Sequence, residues 1–148
     1  MKLFNIILLG LLVSCGSNSI KVDPLLQPYE DWYFNLVNKS CKPRQYVNRN
    51  DYSIQFVDKI DGTLIIGQCR MYPFVTRREI IISMEWWDHM PEIYKKTLLA
   101  HELTHCFFNE QHTTDVNHFM YPELRYFMNT EELETQLSEY FKGECRVR

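Results

Sequence analysis

The chain has 148 residues, of which 45% are hydrophobic and 24% are charged. That length suits one domain. The composition is that of a globular protein, which excludes a disordered chain, a collagen-like chain and a multi-span membrane protein. The net charge is −3 and the sequence contains no long basic run. A nucleic-acid binder needs a basic face, so nucleic acid is not an expected partner.

The first residues are typical of an export signal. Lys2 supplies one positive charge, and residues 3–13 form a mainly apolar run that is too short for a stable membrane anchor. Residues 12–15 read LVSC, which resembles a bacterial lipobox. The resemblance implies cleavage before Cys15 and attachment of lipid to that cysteine. A plain secretory signal and a buried N-terminal helix are the alternatives.

This interpretation divides the chain into three segments. A lipoprotein signal peptide covers 1–14, a lipidated tether covers 15–22, and one domain covers 23–148. No internal repeat or interdomain linker interrupts the third segment. We therefore expect an exported protein that is anchored to a bacterial membrane by its N-terminal lipid. It would either face the periplasm or lie on the cell surface.

The first half of the domain predicts one helix followed by strands. Residues 28–38 are typical of a helix with one apolar side, and residues 52–57 alternate as a strand does. An Asp-Gly turn signal and an apolar, β-branched run over 63–69 follow, so residues 58–62 are expected to close a hairpin. Residues 79–84 contain three consecutive isoleucines and predict a third strand.

The second half predicts two helices separated by an irregular segment. Pro91 suits the first turn of a helix over 91–108. Asn109 tolerates the left-handed conformation that ends helices. Thr130 is expected to cap a last helix over 131–142. The order of elements predicts an α+β fold with a small mixed sheet.

The residues that carry chemistry lie in the long helix, which reads HELTH over 101–105. Histidines four residues apart lie one turn apart on one face of a helix, so His101 and His105 can bind one cation. Glu102 lies beside that face, where its carboxylate can take a proton from water and pass it to a leaving amine. This is the H-E-x-x-H signature of zinc peptidases. An amphipathic helix with two ordinary histidines is the alternative.

A third ligand is expected just beyond the helix, because zinc in a hydrolytic site takes three protein ligands and keeps one position open. His112 follows His105 by seven residues and Asn109 by three. A turn at Asn109 would therefore bring the His112 imidazole back to the metal. The competing third ligands are acidic residues further along the chain: Asp115, Glu131, Glu132 and Glu134. The first of these could instead orient a ligating imidazole.

The segment resembles the metzincin clan of zinc peptidases, whose pattern is H-E-x-x-H-x-x-G-x-x-H followed by a methionine-containing turn. Here Phe108 stands in place of the glycine, and the third histidine comes one residue later. Residues 118–122 resemble the methionine turn, which implies that Met120 lies beneath the metal and that Tyr121 could stabilise the oxyanion. The segment is most similar to that of small bacterial and phage-encoded metallopeptidase lipoproteins.

The resemblance implies a minimal metzincin-like fold with an active-site helix, a C-terminal helix and an edge strand, within 67–84, that binds the substrate. It implies Zn²⁺ on His101, His105 and His112, with Glu102 as general base. The expected activity is hydrolysis of peptide bonds, with a protein or peptide as substrate. Two alternatives stay open: a cell-wall peptide hydrolase with the same zinc site, and a binding lipoprotein that holds zinc without turnover.

The cysteines of the mature chain predict disulfides. Besides the lipidated Cys15, the mature chain has four: Cys41, Cys69, Cys106 and Cys145. An exported chain meets an oxidising compartment, so one or two disulfides are expected, with three full pairings possible. We favour Cys106 with Cys145 and Cys41 with Cys69. We also predict that Cys106 is not a zinc ligand, because it lies about 100° around the helix from His105.

Overall fold

A computed structural model describes residues 21–40, 52–61, 65–72, 77–124 and 129–144. Within these ranges the chain forms four strands and four helices, and the predicted α+β fold is confirmed. The elements follow one another as β1 (Lys21–Val22), α1 (Gln27–Ser40), β2 (Tyr52–Val57), β3 (Gly67–Tyr72), β4 (Arg77–Ser83), α2 (Met84–Trp87), α3 (Glu92–Phe108) and α4 (Thr130–Glu144).

The three long helices lie close to where the sequence places them. α1 extends the predicted 28–38 range at both ends. α3 ends where expected, because Asn109 takes the left-handed conformation with φ 54° and ψ 31°. α4 begins at Thr130 rather than after it. Its cap is Asn129, whose side-chain oxygen accepts a hydrogen bond from the Glu132 N–H at 2.9 Å.

The sheet has the strand order β1-β2-β4-β3, so the hairpin predicted over 58–62 is wrong. β2 pairs with β4 in parallel, and β3 pairs with β4 in antiparallel orientation. β4 carries three consecutive isoleucines, Ile80, Ile81 and Ile82, each at most 2% exposed. A strand that is apolar on both faces belongs in the middle of a sheet whose two faces are covered. The Asp-Gly turn signal in the sequence does not show which strands cover β4 in the sheet.

The sheet begins earlier in the chain than the predicted domain boundary. Lys21 and Val22, which belong to the predicted tether, pair with Ser53 and Ile54 of β2. The predicted signal peptide and Cys15 lie outside the described residues. No helix in the described ranges is both long and apolar enough to cross a membrane.

An aromatic cluster holds α3 against α1 and β2. Phe107 makes edge-to-face contacts with Phe34 of α1 and Tyr52 of β2, with ring centroids 5.1 and 5.0 Å apart. Such pairs contribute about 0.5–1.5 kcal/mol each beyond the area they bury. The Tyr33 hydroxyl lies 2.9 Å from the Thr104 hydroxyl inside this core. These contacts fix the rotation of α3, so its opposite face is presented to β3.

A disulfide joins β3 to α3 and corrects the predicted pairing. Cys69 is bonded to Cys106, with their Cα atoms 5.5 Å apart, so the predicted partners of both cysteines are wrong. Cys41 and Cys145 lie outside the described residues. The pairing follows from the sheet order, since the edge strand β3 packs on α3 and brings the two thiols within bonding range. As predicted, Cys106 is not among the residues grouped to hold a metal.

Candidate active site

The ligand pair predicted on α3 is brought together by helix geometry alone. His101 and His105 project from the same face, and their Nε2 atoms lie 2.9 Å apart. His101 is buried, whereas His105 is half-buried. This part of the site needs no contact from outside the helix, because a spacing of four residues already aligns the two rings.

The end of α3 returns the chain to these rings. The Asn109 N–H donates to the His105 carbonyl at 3.1 Å, and the left-handed turn at Asn109 redirects the backbone. Three residues later, the exposed His112 places its Nε2 3.1 Å from that of His101. The structure thus brings the third predicted histidine to the first two.

Backbone carbonyls set the direction of two of the three rings. His101 Nδ1–H donates to the Phe119 carbonyl at 2.9 Å, and His105 Nδ1–H donates to the Glu110 carbonyl at 2.6 Å. Because a carbonyl can only accept, each Nδ1 carries the proton and each Nε2 presents its lone pair. Hydrogen bonds of this kind orient metal-ligating imidazoles. Pattern reasoning missed both carbonyls, since a carbonyl leaves no mark in the sequence.

The spacing of the three nitrogens fits a metal ion. A tetrahedral centre with Zn–N bonds of about 2.0–2.1 Å sets its ligand nitrogens roughly 3.3 Å apart. The observed Nε2 separations of 2.9 and 3.1 Å are close to that value. His101, His105 and His112 form a group that could hold a metal ion.

Burial favours the neutral form of the two helix histidines. It lowers the pKa of His101 to about 4, against the opposing effect of the hydrogen bond to Phe119. Burial also lowers the pKa of His105. Neutral imidazole is the form that binds metals, so both rings are ready to act as ligands without first losing a proton.

Glu102 is enclosed between α3 and the edge strand β3. Its side chain is buried, and the Cys69 backbone N–H donates to its carboxyl group. Burial raises the pKa of Glu102 to about 8, and that hydrogen bond opposes the rise. A buried carboxyl group with a raised pKa is easier to protonate, which suits it to receiving a proton and passing it on.

Gly67 allows this close approach of strand and helix. A Cβ atom there would lie 2.9 Å from a Leu98 methyl carbon and 3.0 Å from a Glu102 carboxylate oxygen. Any larger residue would press on the Leu98 and Glu102 side chains. Pattern reasoning missed the roles of Gly67 and Cys69. The available signal was a glycine at a strand, which often marks a place where backbone and another element meet closely.

The segment that resembles a methionine turn supports the site from the other side. Met120 is buried, and its carbonyl accepts a hydrogen bond from the Thr113 N–H at 3.1 Å. Gln136 of α4 accepts from the Phe119 N–H and donates to the Asn117 carbonyl, both at 2.7 Å. α4 therefore fixes the turn whose Phe119 carbonyl orients His101. The sequence offered no signal for Gln136.

The histidines, Glu102 and Tyr121 line one cavity of about 580 Å³. One wall is β3 with the residues just before it, and the other is the segment 121–124. Tyr121 is half-buried there, while Trp87 belongs to the core and Trp86 is exposed away from this cavity. The cavity leaves open space beside the three nitrogens.

The competing acidic ligands lie elsewhere. Glu131 and Glu132 line a separate surface pocket on α4. Glu134 accepts a hydrogen bond from the Trp32 indole at 2.7 Å. Asp115 accepts from the Asn117 N–H at 2.9 Å, within its own turn. Among the residues that the structure describes, the grouping able to hold a metal contains histidines only.

Comparisons with protein-family models, with curated proteins and with solved structures found no match to this chain.

Proposed function

We propose that this protein is an exported zinc peptidase that hydrolyses peptide bonds in the cavity beside His101, His105 and His112. One observation carries the proposal: three imidazole nitrogens converge next to a buried carboxyl group, and both face a cavity of substrate size. Imidazole ligands also suit copper, iron and nickel, but three histidines, an open position and an adjacent carboxylate are typical of hydrolytic zinc sites.

The edge strand β3 offers backbone groups to an extended peptide. The Ser83 N–H donates to the Ile66 carbonyl at 2.9 Å, and the register continues from Gly67 paired with Ile82. Hydrogen bonding alternates along an antiparallel pair. The backbone groups of Gly67 and Met71 and the Cys69 carbonyl therefore face away from β4 at this edge, whereas the Cys69 N–H there donates to Glu102. A peptide added at this edge would be held by main-chain hydrogen bonds with little sequence selectivity.

The residues around the scissile bond then have separate roles. Zinc, when bound, supplies the Lewis acidity that polarises a carbonyl and makes water nucleophilic at neutral pH. The Glu102 carboxylate takes a proton from the attacking water and delivers it to the leaving nitrogen. Tyr121 lines the same cavity and is the candidate donor to the carbonyl oxygen as negative charge develops there. The Met120 side chain supports the site through packing.

The test is metal content together with hydrolysis by the purified mature protein. We expect one zinc per chain by mass spectrometry and cleavage of casein, with activity lost on chelation and restored by zinc. Purified peptidoglycan serves as the second substrate, and cleavage of it alone would assign the activity to cell-wall peptides. Zinc without hydrolysis of either substrate would favour the binding lipoprotein, and absence of a bound metal would reject the proposal.

The tether is tested separately. The mature chain should carry lipid on Cys15 and partition into detergent. Cys15→Ala should release a soluble protein or leave the signal uncleaved. Normal membrane fractionation of Cys15→Ala, with unchanged detergent partitioning, would show that the lipobox interpretation is wrong.

A further inference from the structure

The disulfide and the candidate base lie at one junction between β3 and α3. Cys106 follows Glu102 by four residues, so the two side chains lie one turn apart on the same side of the helix. Cys69 is joined covalently to Cys106, and its backbone N–H donates to the Glu102 carboxyl group. One residue of the edge strand therefore makes both the covalent link to α3 and the polar contact with the base.

The Cys69 N–H is available for this contact because of the strand register. Gln68 and Arg70 point their backbone groups towards β4, where they are paired with Ile81 and Glu79. Cys69 lies between them, so its N–H points to the outer edge of the sheet. Within the described ranges, the acceptor found at that position is Glu102. The contact persists only while β3 stays close to α3.

The sheet pairs β3 on one side only within the described ranges, so its distance from α3 depends on contacts with that helix. Gly67 allows the closest approach, beside Leu98 and Glu102. Two residues after Gly67, the Cys69–Cys106 bond limits how far β3 can move from α3. The glycine thus permits the contact, and the disulfide prevents its loss.

We infer that the Cys69–Cys106 disulfide is a positioning device, which keeps β3 on α3 so that the Cys69 amide orients Glu102 towards the reacting water. The inference rests on the proposed function for the role of Glu102 as base. Neither sulfur of the disulfide belongs to the group that could hold a metal. Removal of the disulfide should therefore lower turnover without changing zinc binding. A misplacement of about 1 Å in such a group costs on the order of a hundredfold in rate.

The first experiment removes the disulfide with Cys69→Ala/Cys106→Ala in the mature protein. We expect kcat to fall about ten- to a hundredfold, with KM and zinc stoichiometry unchanged within about twofold. Removal of a bond that is only structural would lower thermal stability and leave kcat of the folded, zinc-loaded protein unchanged. That result would overturn the inference.

The second experiment measures backbone amide exchange by NMR, and it does not depend on hydrolysis. Exchange of the amide hydrogen at position 69 should be at least tenfold slower in the wild type than in Glu102→Ala. The disulfide-free variant should lose the same protection. The amides of Gln68 and Arg70, which face β4, are internal controls and should stay protected in all three proteins. Retained protection at position 69 in the disulfide-free variant would overturn the inference.

Gly67→Ala covers the case in which the double variant does not fold. The added methyl group should press on the Glu102 side chain and separate its carboxyl group from the Cys69 amide while leaving the disulfide intact. It should therefore reproduce the loss of both kcat and protection at position 69. Unchanged values in this variant would also overturn the inference. An inactive wild type would contradict the proposed function, whereas the exchange data would still decide whether the disulfide holds the Cys69–Glu102 contact.

Discussion

The two walls of the cavity support different parts of the proposed chemistry. On one wall, the turn before residue 121 holds His101 through the Phe119 carbonyl, and Gln136 of α4 fixes that turn. On the other wall, β3 holds Glu102 through the Cys69 amide. His101 and Glu102 are neighbours in the chain, yet they depend on elements from opposite sides of α3. Metal binding and proton transfer should therefore be separable by mutation.

The largest expected effect comes from removing a ligand, which should abolish both functions. His112→Ala should weaken zinc binding by well over tenfold and abolish hydrolysis, because two imidazoles then remain. Glu132→Ala is the matched control for the competing glutamate ligand and should change zinc affinity little. The measurement is a zinc competition titration, with circular dichroism to confirm folding. Full affinity in His112→Ala with loss in Glu132→Ala would favour the glutamate ligand.

The second prediction removes only the carboxylate that the β3 wall holds. Glu102→Gln keeps the size of the side chain but cannot take up a proton, so turnover should fall by about 10²–10⁴-fold. Zinc stoichiometry and affinity should match those of the wild type, since the other wall is untouched. Steady-state kinetics and a zinc titration on the same preparation test both statements. Activity within a few-fold of the wild type would place the base elsewhere.

The third prediction weakens only the support of the turn before residue 121, on the other wall. Gln136→Ala removes the two 2.7 Å hydrogen bonds to this turn and so loosens the Phe119 carbonyl that orients His101. Loss of such outer contacts lowers metal affinity by about 10–100-fold, and we expect the lower end of that range. Glu139→Ala, an exposed site on the same helix, is the control. Equal zinc affinities in the two variants would contradict the proposed support.

The smallest effect is expected in the core beneath both walls. The Thr104 hydroxyl donates to the Ala100 carbonyl at 2.7 Å, so the Tyr33 hydroxyl must donate to Thr104. Tyr33→Phe should lower the free energy of unfolding by about 1 kcal/mol, the net value of one buried hydrogen bond. Zinc affinity and kcat should not change. Urea unfolding of both proteins in the same metal state measures the difference, and a change in zinc affinity would show that α3 had rotated.

Local features of the site were predictable from the sequence. Helix geometry determines that residues four apart share a face, so His101 and His105 could be paired without knowledge of the fold. Asn109 was expected to end α3, and its positive φ agrees. That turn returns the chain towards α3, which made His112 the favoured third residue. Each of these steps depends on fewer than ten consecutive residues.

Contacts between distant segments were decided by the tertiary structure. The favoured disulfide pairing and the hairpin after β2 were both wrong, and for one reason: β4 is buried on both faces and therefore lies between β2 and β3. That order leaves β3 at the edge, over α3, and so brings Cys69 to Cys106 and its amide to Glu102. Sequence periodicity shows which side of a helix or strand is apolar. Which elements pack against each other depends on burying all of these apolar sides at once, and only the tertiary structure determines that.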